Sequence, residues 1–350
     1  MSGRYVEIAG RRVGEGYPAY IVAEMSANHN HDFKAAMGII RAAKESGADA
    51  VKLQTYTADT LTIPCEKDYF QIKDGPWAGR TLHELYQEAY TPWEWQPKLK
   101  EEADRLGITL FSSPFDASAV DFLERMNVPC YKIASFELVD IPLIEKVAAT
   151  GKPVIMSTGM ATLSEIEDAV TAARDAGARA IILLKCNSAY PAPPEEMNLA
   201  TISHLADAFN VPAGLSDHTL GIAVPVAAVA LGAVMIEKHF TLSRANKGPD
   251  SFFSIEPKEL REMVEAIRTV EKARGGVSYK ISEKEGASRI FRRSLFAVRD
   301  IRAGEEFTAE NVRSIRPAHG LHPRYLKEVI GRRAACDIPG GTPLDWKLLA

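Results

Sequence analysis

Between Tyr20 and Phe240 eight short apolar stretches recur, each running out into polar residues. They are YIVAEMSAN (20–28), AVKLQTY (50–56), ITLFSSP (108–114), CYKIAS (130–135), PVIMSTG (153–159), AIILLKCNS (180–188), PAGLSDH (212–218) and VMIEKHF (234–240). Their length and β-branched content predict strands. The segments between them carry helical periodicity with start signals. Thr162 followed by Glu165 is a capping box, opening a helix that closes near Gly177. Glu256-Pro257 opens another, with Leu260, Met263, Val264, Ile267 and Val270 on one face and Gly275-Gly276 at its end. The run from Gly221 to Gly232 is about one helix long and joins the last two stretches as strand, helix, strand. Strict alternation of strand and helix builds a parallel sheet, and eight repeats over roughly 250 residues predict an α/β fold of the (β/α)8 TIM-barrel class. An open doubly wound sheet is the second choice, disfavoured because no strand is followed by a GxGxxG turn.

Three regions depart from this rhythm. Residues 3–18 alternate as a small hairpin, with Val6 and Ile8 facing Val13 across Gly10-Arg11-Arg12. The connection from Tyr56 to Ile108 is about twice as long as the others and rich in aromatics. A loop that leaves a barrel strand opens on the catalytic face, so Tyr69, Phe70 and Trp77 are expected in a substrate wall. Trp93 and Trp95 are expected to pack the following helix onto the barrel. After Gly276 the character changes. Residues 277–289 read as a polar linker, and 290–350 as a small β-rich domain with Gly/Pro turns. In that domain AVRDIRAGEEF (297–307) is echoed by ACDIPGGTPL (335–344). The expected organisation is therefore a barrel over 1–276, a linker over 277–289 and a terminal domain over 290–350.

Composition narrows the classes. Hydrophobic content of 46% and charged content of 25% are those of an ordinary globular protein. A net charge of −4 without a basic run argues against a nucleic-acid partner. No apolar signal segment or membrane-length run is present, and the four cysteines form no CxxC pair. A cytoplasmic protein with reduced thiols and no membrane partner is expected.

The polar ends of the strands carry the candidate chemistry. Alternation pairs Glu24 with Ser26, Lys52 with Gln54, Lys185 with Asn187, Ser216 with His218 and Glu237 with His239. Lys238 falls on the opposite face from His239 and is left out. Lys52, Lys132 and Lys185 converge with Ser113, Ser135, Ser157, Ser188 and Ser216, a combination suited to phosphate and carboxylate. One such lysine is explained by a salt bridge to Glu237, but three with hydroxyls call for an anionic ligand. His218 and His239, on neighbouring strand ends, are candidate metal ligands. Spacing alone leaves capping or packing as the plainer account, and the anion site beside them favours the metal. Two nitrogens completed by oxygens suit Mn2+, Mg2+ or Co2+ better than a closed zinc site.

The same residues carry a resemblance. AEMSANHN (23–30), KLQTYTADT (52–60), SSPFD (112–116), KIASFE (132–137), STGM (157–160), CNSAYP (186–191), GLSDHT (214–219), EKHFT (237–241) and KGPD (247–250) resemble the sialic acid synthase family over nearly the whole chain. The tail, with SIRP at 314–317, resembles that family's antifreeze-like domain. The resemblance implies an enzyme joining phosphoenolpyruvate to an N-acetylated amino-sugar aldehyde, giving a nine-carbon 2-keto acid and phosphate. Carbon 3 of phosphoenolpyruvate would attack the aldehyde, water would add to carbon 2, and phosphate would leave by C–O cleavage. The metal would act as a Lewis acid, and Glu24 beside it is the choice for general acid/base. Tyr190, Asp250 and Arg316 are assigned to the sugar by resemblance, with Gln54 beside the lysines.

The AEMSANHN motif and the aromatic insert look most like the branch that makes pseudaminic acid from 2,4-diacetamido-2,4,6-trideoxy-altrose. N-acetylneuraminate and legionaminate formation are the alternatives. The family often has glycine where this chain has His31, so a turn needing positive φ there would be strained. Family likeness also implies a domain-swapped homodimer in which the tail caps the partner's barrel, although the linker equally permits capping in cis. Two rivals remain. A Schiff-base aldolase would use Lys132 or Lys185 with a depressed pKa and leave the histidines idle. A binding module built on the tail would leave the polar strand ends without a purpose.

Overall fold

The computed structural model describes residues 4–350. By internal contacts the chain divides into two compact units between Gly275 and Gly276. The first begins with an antiparallel hairpin, β1 (Tyr5–Ile8) and β2 (Arg11–Gly14). Eight parallel strands follow: β3 (Tyr20–Glu24), β4 (Ala50–Thr55), β5 (Thr109–Pro114), β6 (Tyr131–Ile133), β7 (Val154–Ser157), β8 (Ile181–Cys186), β9 (Ala213–Asp217) and β10 (Met235–His239). They close into a barrel in which β10 pairs with β3. The chain is a TIM barrel, and each strand falls within the apolar stretch that predicted it.

Each inner strand is buried on both faces, and its alternate residues enter two different cores. Ile21, Ala23, Val51, Leu183, Leu215 and Ile236 pack in the layer between barrel and helices. Tyr20, Val22, Ala50, Phe111, Cys130, Ile155, Ile182, Leu184 and Met235 fill the barrel interior. Val6, Ile8 and Val13 of the hairpin join that interior cluster and plug its amino-terminal end. Removing such a buried side chain typically costs about 2–5 kcal/mol. Gly214 has no room for a side chain, since a Cβ would sit 2.3 Å from the Met235 carbonyl.

The helices start as the sequence requires. Thr162 and Glu165 form a reciprocal capping box on the helix Leu163–Asp175. Pro257 opens the helix Pro257–Arg274, which ends at Gly275. Among the described residues no helix is long and apolar enough to cross a membrane.

The second unit holds a two-stranded antiparallel sheet, β11 (Ser294–Ala297) and β12 (Val312–Ile315), around Leu295, Phe307, Val312, Val329, Ile338 and Leu344. The internal echo has a structural meaning. Ile301 and Ile338 exchange both backbone hydrogen bonds, while Asp300 accepts from the Gly340 N–H and Asp337 from the Ala303 N–H. The two copies thus pair with each other about a local two-fold. The stretch expected to be a polar linker includes a short helix, Glu283–Ser288, capped by Ser282.

Candidate active site

Continuing the interior alternation past the apolar layer brings polar residues to the carboxyl ends of the strands. Glu24 follows Tyr20 and Val22, Lys52 follows Ala50, and Ser113 follows Phe111. Lys132 follows Cys130, Ser157 follows Ile155, and Glu237 and His239 follow Met235. This is the barrel end at which such folds keep their chemistry.

At the centre lies a network of two lysines and two glutamates, all essentially buried. Lys52 Nζ is 2.7 Å from Glu24 Oε2 and 3.5 Å from Glu237 Oε1, and Lys132 Nζ is 3.3 Å from Glu237 Oε1. Gln54 donates to Glu24 at 2.8 Å, Ser216 to Glu237 at 3.3 Å, and Lys52 to Ser113 at 3.3 Å. Burial raises the Glu24 carboxyl, with Lys52 opposing and Glu237 adding to the rise. Burial also disfavours a charged Glu237, but Lys132 and Lys52 outweigh it and hold this carboxyl below its usual range. For Lys52 burial is outweighed by Glu237 and Glu24, so its ammonium is stabilised.

Beside this network is a cradle of hydroxyls. Ser135 Oγ accepts from the Gly159 N–H at 3.2 Å. The buried Oγ atoms of Ser157 and Ser188 have no hydrogen-bond partner among the described residues. A Cβ on Gly159 would lie 2.3 Å from Ser188 Oγ and 2.7 Å from Ser135 Oγ, so glycine keeps the cradle open. Unpartnered buried hydroxyls at the strand ends are what an oxygen-rich anion would satisfy.

His218 and His239 face each other with ring centroids 5.3 Å apart, and Tyr190 stacks on His218 at 4.3 Å. His218 Nδ1 donates to the Asn187 carbonyl at 2.7 Å, which orients the ring and makes Nε2 the nitrogen available to a ligand when the ring is neutral. His239 Nδ1 is buried without a hydrogen bond and lies 4.0 Å from Asp250 Oδ2. Burial, with His218 next, lowers the His239 pKa far below its usual value and keeps the ring neutral. For His218 burial is outweighed by Cys186, whose Sγ is 3.9 Å from Nδ1, and the pKa is raised. A neutral orphaned nitrogen facing an oriented imidazole fits a divalent metal held by two protein nitrogens. Among the described residues no set of three His, Cys, Asp or Glu side chains is arranged to hold one. The remaining positions would be oxygens of water and substrate.

Next to the histidines opens a cavity of about 500 Å3, with Tyr190, His239, Asp250 and Glu137 on its polar side. Its apolar wall is largely the long insert, including Leu61, Ile72, Trp77, Leu82, Leu85 and Tyr86. Trp77 is fixed by donating to the Pro249 carbonyl at 3.1 Å. Asp250 accepts from the Ser26 hydroxyl, and burial raises its carboxyl.

Several expectations need correction. Lys185 shares its parity with Ile181 and Leu183 of the outer layer, and its Nζ donates to the Cys186 carbonyl at 3.0 Å. Two lysines, not three, converge, and Cys186 holds the inward position on β8. Tyr69 is 84% exposed, and neither it nor Phe70 lines the cavity. Trp93 and Trp95 do pack as expected, Trp95 on Phe33 and the core under the helices and Trp93 on Phe122, with Trp93 also donating to the Tyr56 carbonyl. Arg316 lies in the second unit, exposed. Asn30 and His31 do adopt positive φ, 47° and 52°, and the His31 ring packs against Tyr90 and Trp95. Sequence reasoning missed Glu137, which is mostly buried with Oε2 unpartnered and its pKa pushed up by burial to about 7. It sits on the turn Ser135–Glu137 just past β6, and the acidic end of KIASFE was its only signal.

Comparison with known proteins agrees with this geometry. Residues 39–279 match the NeuB family and residues 292–350 match the SAF domain. The chain is 47% identical to pseudaminic acid synthase of Helicobacter pylori, over 94% of this chain and 97% of that protein. It is 37% identical to N,N'-diacetyllegionaminic acid synthase of Legionella pneumophila, over 95% of both chains. Among solved structures, N-acetylneuraminic acid synthetase of Leptospira borgpetersenii in complex with citrate superposes with a TM-score of 0.73 at 31% identity. That match covers 82% of this chain and 95% of that one.

Proposed function

Because the chain belongs to the NeuB family, we propose that it condenses phosphoenolpyruvate with 2,4-diacetamido-2,4,6-trideoxy-altrose and water, giving pseudaminic acid and phosphate. The observation that carries the choice of sugar is the 47% identity to a pseudaminic acid synthase, which spans the insert that walls the cavity.

In this reading Lys132 and Lys52 balance the charge of phosphoenolpyruvate, and Ser113, Ser135, Ser157, Ser188 and Ser216 supply directed hydrogen bonds to its phosphate and carboxylate. Tyr190 and Asp250 hold the sugar so that its aldehyde carbon meets carbon 3 of phosphoenolpyruvate. The new C–C bond leaves carbon 2 electron-deficient, and water adds there. Glu24, with its carboxyl raised by burial, gives its proton to the sugar's former aldehyde oxygen as the C–C bond forms and, once ionised, takes one from that water. Phosphate departs with the bridging oxygen, leaving the 2-keto acid. His218 and His239 would hold a divalent metal, Mn2+ first and Mg2+ or Co2+ as alternatives, which when bound supplies Lewis-acid polarisation of the sugar carbonyl.

The same proposal extends to a homodimer whose SAF units are exchanged, so that Arg316 reaches a sugar on the partner subunit. Charge supports an electrostatic attraction between the two kinds of unit. The whole chain has 42 Lys and Arg against 46 Asp and Glu, whereas residues 276–350 have an excess of Lys and Arg. The barrel unit is therefore the acidic one.

Phosphate release tests the reaction class. Release should require phosphoenolpyruvate and the sugar together. Borohydride trapping of pyruvate on a lysine, or release without sugar, would contradict it.

A further inference from the structure

Lys238 and Asp217 lie on the outer face of the barrel, directly opposite one another in the register of β10 and β9, and both are fully buried. Lys238 Nζ is ion-paired with Asp217 Oδ2 and donates to the Thr219 carbonyl at 2.6 Å. Asp217 Oδ1 accepts from the Thr219 N–H at 3.0 Å. Three bonds thus close a ring that holds both backbone groups of Thr219, and His218 is the residue the ring spans. Strand β9 ends at Asp217, so His218 and Thr219 lie beyond the last ladder pair. Lys238 is also the residue that precedes His239.

Packing does not account for this pair. A buried ion pair contributes little to stability over an apolar pair of similar volume, and the residues of the same parity on these strands, Leu215 and Ile236, pack in the apolar layer under the helices. What an apolar pair would not supply is the hold on the Thr219 backbone.

We propose that Lys238 and Asp217 are positioning residues for the histidine pair, locking the backbone around His218 and tying it to the strand that carries His239. The inference rests on the reading of His218 and His239 as metal ligands. Ligand nitrogens must come within about 2 Å of a metal such as zinc, so a loosened His218 backbone would spoil a two-nitrogen site even when both rings are present.

The test is Mn2+ binding to the full-length, chelator-stripped protein, read from the EPR signal of the free ion. The variant Asp217→Leu/Lys238→Met removes both charges together and is expected to keep a thermal midpoint near wild type. Its Kd for Mn2+ should rise tenfold or more, the size seen when groups that orient metal ligands are removed. Its kcat should fall, with KM for phosphoenolpyruvate changed less than threefold. A purely structural role predicts the opposite, namely wild-type Mn2+ affinity in any variant that folds, and that result overturns the proposal. Should the double variant not fold, Lys238→Arg keeps the charge on Asp217 but displaces the Thr219 carbonyl. It should weaken Mn2+ at least threefold, and an unchanged Kd there is equally fatal. His218→Ala and His239→Ala are measured alongside. If these bind Mn2+ as wild type does, the metal reading itself fails. If they lose Mn2+ while the folded Lys238 variants keep it, only the positioning role fails.

Discussion

Substituting Gly159 by alanine tests the hydroxyl cradle with one methyl group. The Gly159 backbone is outside the left-handed region, so alanine is conformationally ordinary there. The added Cβ meets Ser188 Oγ at 2.3 Å and Ser135 Oγ at 2.7 Å. Ordinary non-bonded separation is about 3.5 Å, so the Ser188 hydroxyl must retreat by roughly 1 Å. Serine rotates easily, and the cost to stability should stay within about 1 kcal/mol. The cost to ligand binding should be larger. A hydrogen bond to a charged group contributes about 1.5–3 kcal/mol, and about 1.4 kcal/mol is tenfold in affinity. Loss of one such bond should weaken phosphoenolpyruvate binding about tenfold to a hundredfold. Isothermal titration of Gly159→Ala with phosphoenolpyruvate, with the thermal midpoint as a control for folding, measures this. Ser188→Ala removes the hydroxyl without a clash and should weaken binding in the same direction. An unchanged Kd in both variants, with the fold intact, would refute the assignment of this cradle to the anion.

Three further outcomes follow from the site. His218→Ala and His239→Ala should each abolish turnover with the circular dichroism spectrum unchanged, and chelation of the wild type should be reversed by added Mn2+. Full activity in both variants would remove the histidines from the mechanism. Glu137, with a pKa raised from 4.5 to about 7, is protonated in the folded chain across a window where the unfolded chain is ionised. Its contribution to stability therefore falls as pH rises from about 4.5 to 7. Glu137→Gln should raise the thermal midpoint relative to wild type at pH 8 more than at pH 5, and an equal shift at both would contradict a buried charge. Mixing Arg316→Ala chains with His239→Ala chains should restore activity towards half of wild type per dimer if the SAF units are exchanged. No recovery in a demonstrated heterodimer would remove the exchange and leave the barrel chemistry untouched.

The strands and the polar ends of most of them were legible because each apolar stretch stops where the interior becomes polar. Glu24, Lys52, Ser113, Lys132 and Ser157 share one parity, anchored by bulky interior residues such as Tyr20, Phe111 and Ile155. Lys185 was misplaced because β8 is apolar on both faces, and alternation alone does not say which face is inside. Tyr69 and Phe70 were misplaced because aromatic content marks an insert without saying which of its side chains turn inward. Their neighbours Leu61, Ile72 and Leu82 line the cavity instead. Glu137 escaped because it lies on a turn, where a period of two no longer applies. Lys238 has the parity of the outer barrel face. That parity is correct, yet it hid the residue's place behind the site, where it meets Asp217 and Thr219.

The central claim concerns the sugar. A cavity walled by Leu61, Ile72, Leu82 and Leu85 offers a methyl group apolar contact and a 6-hydroxyl few partners. The direct measurement is kcat/KM for phosphate release with 2,4-diacetamido-2,4,6-trideoxy-altrose and with N-acetylmannosamine, under the same Mn2+ and saturating phosphoenolpyruvate. The proposal predicts a preference for the 6-deoxy sugar on the order of a hundredfold, the discrimination an apolar pocket gives against an added hydroxyl. Equal values for the two sugars would contradict it.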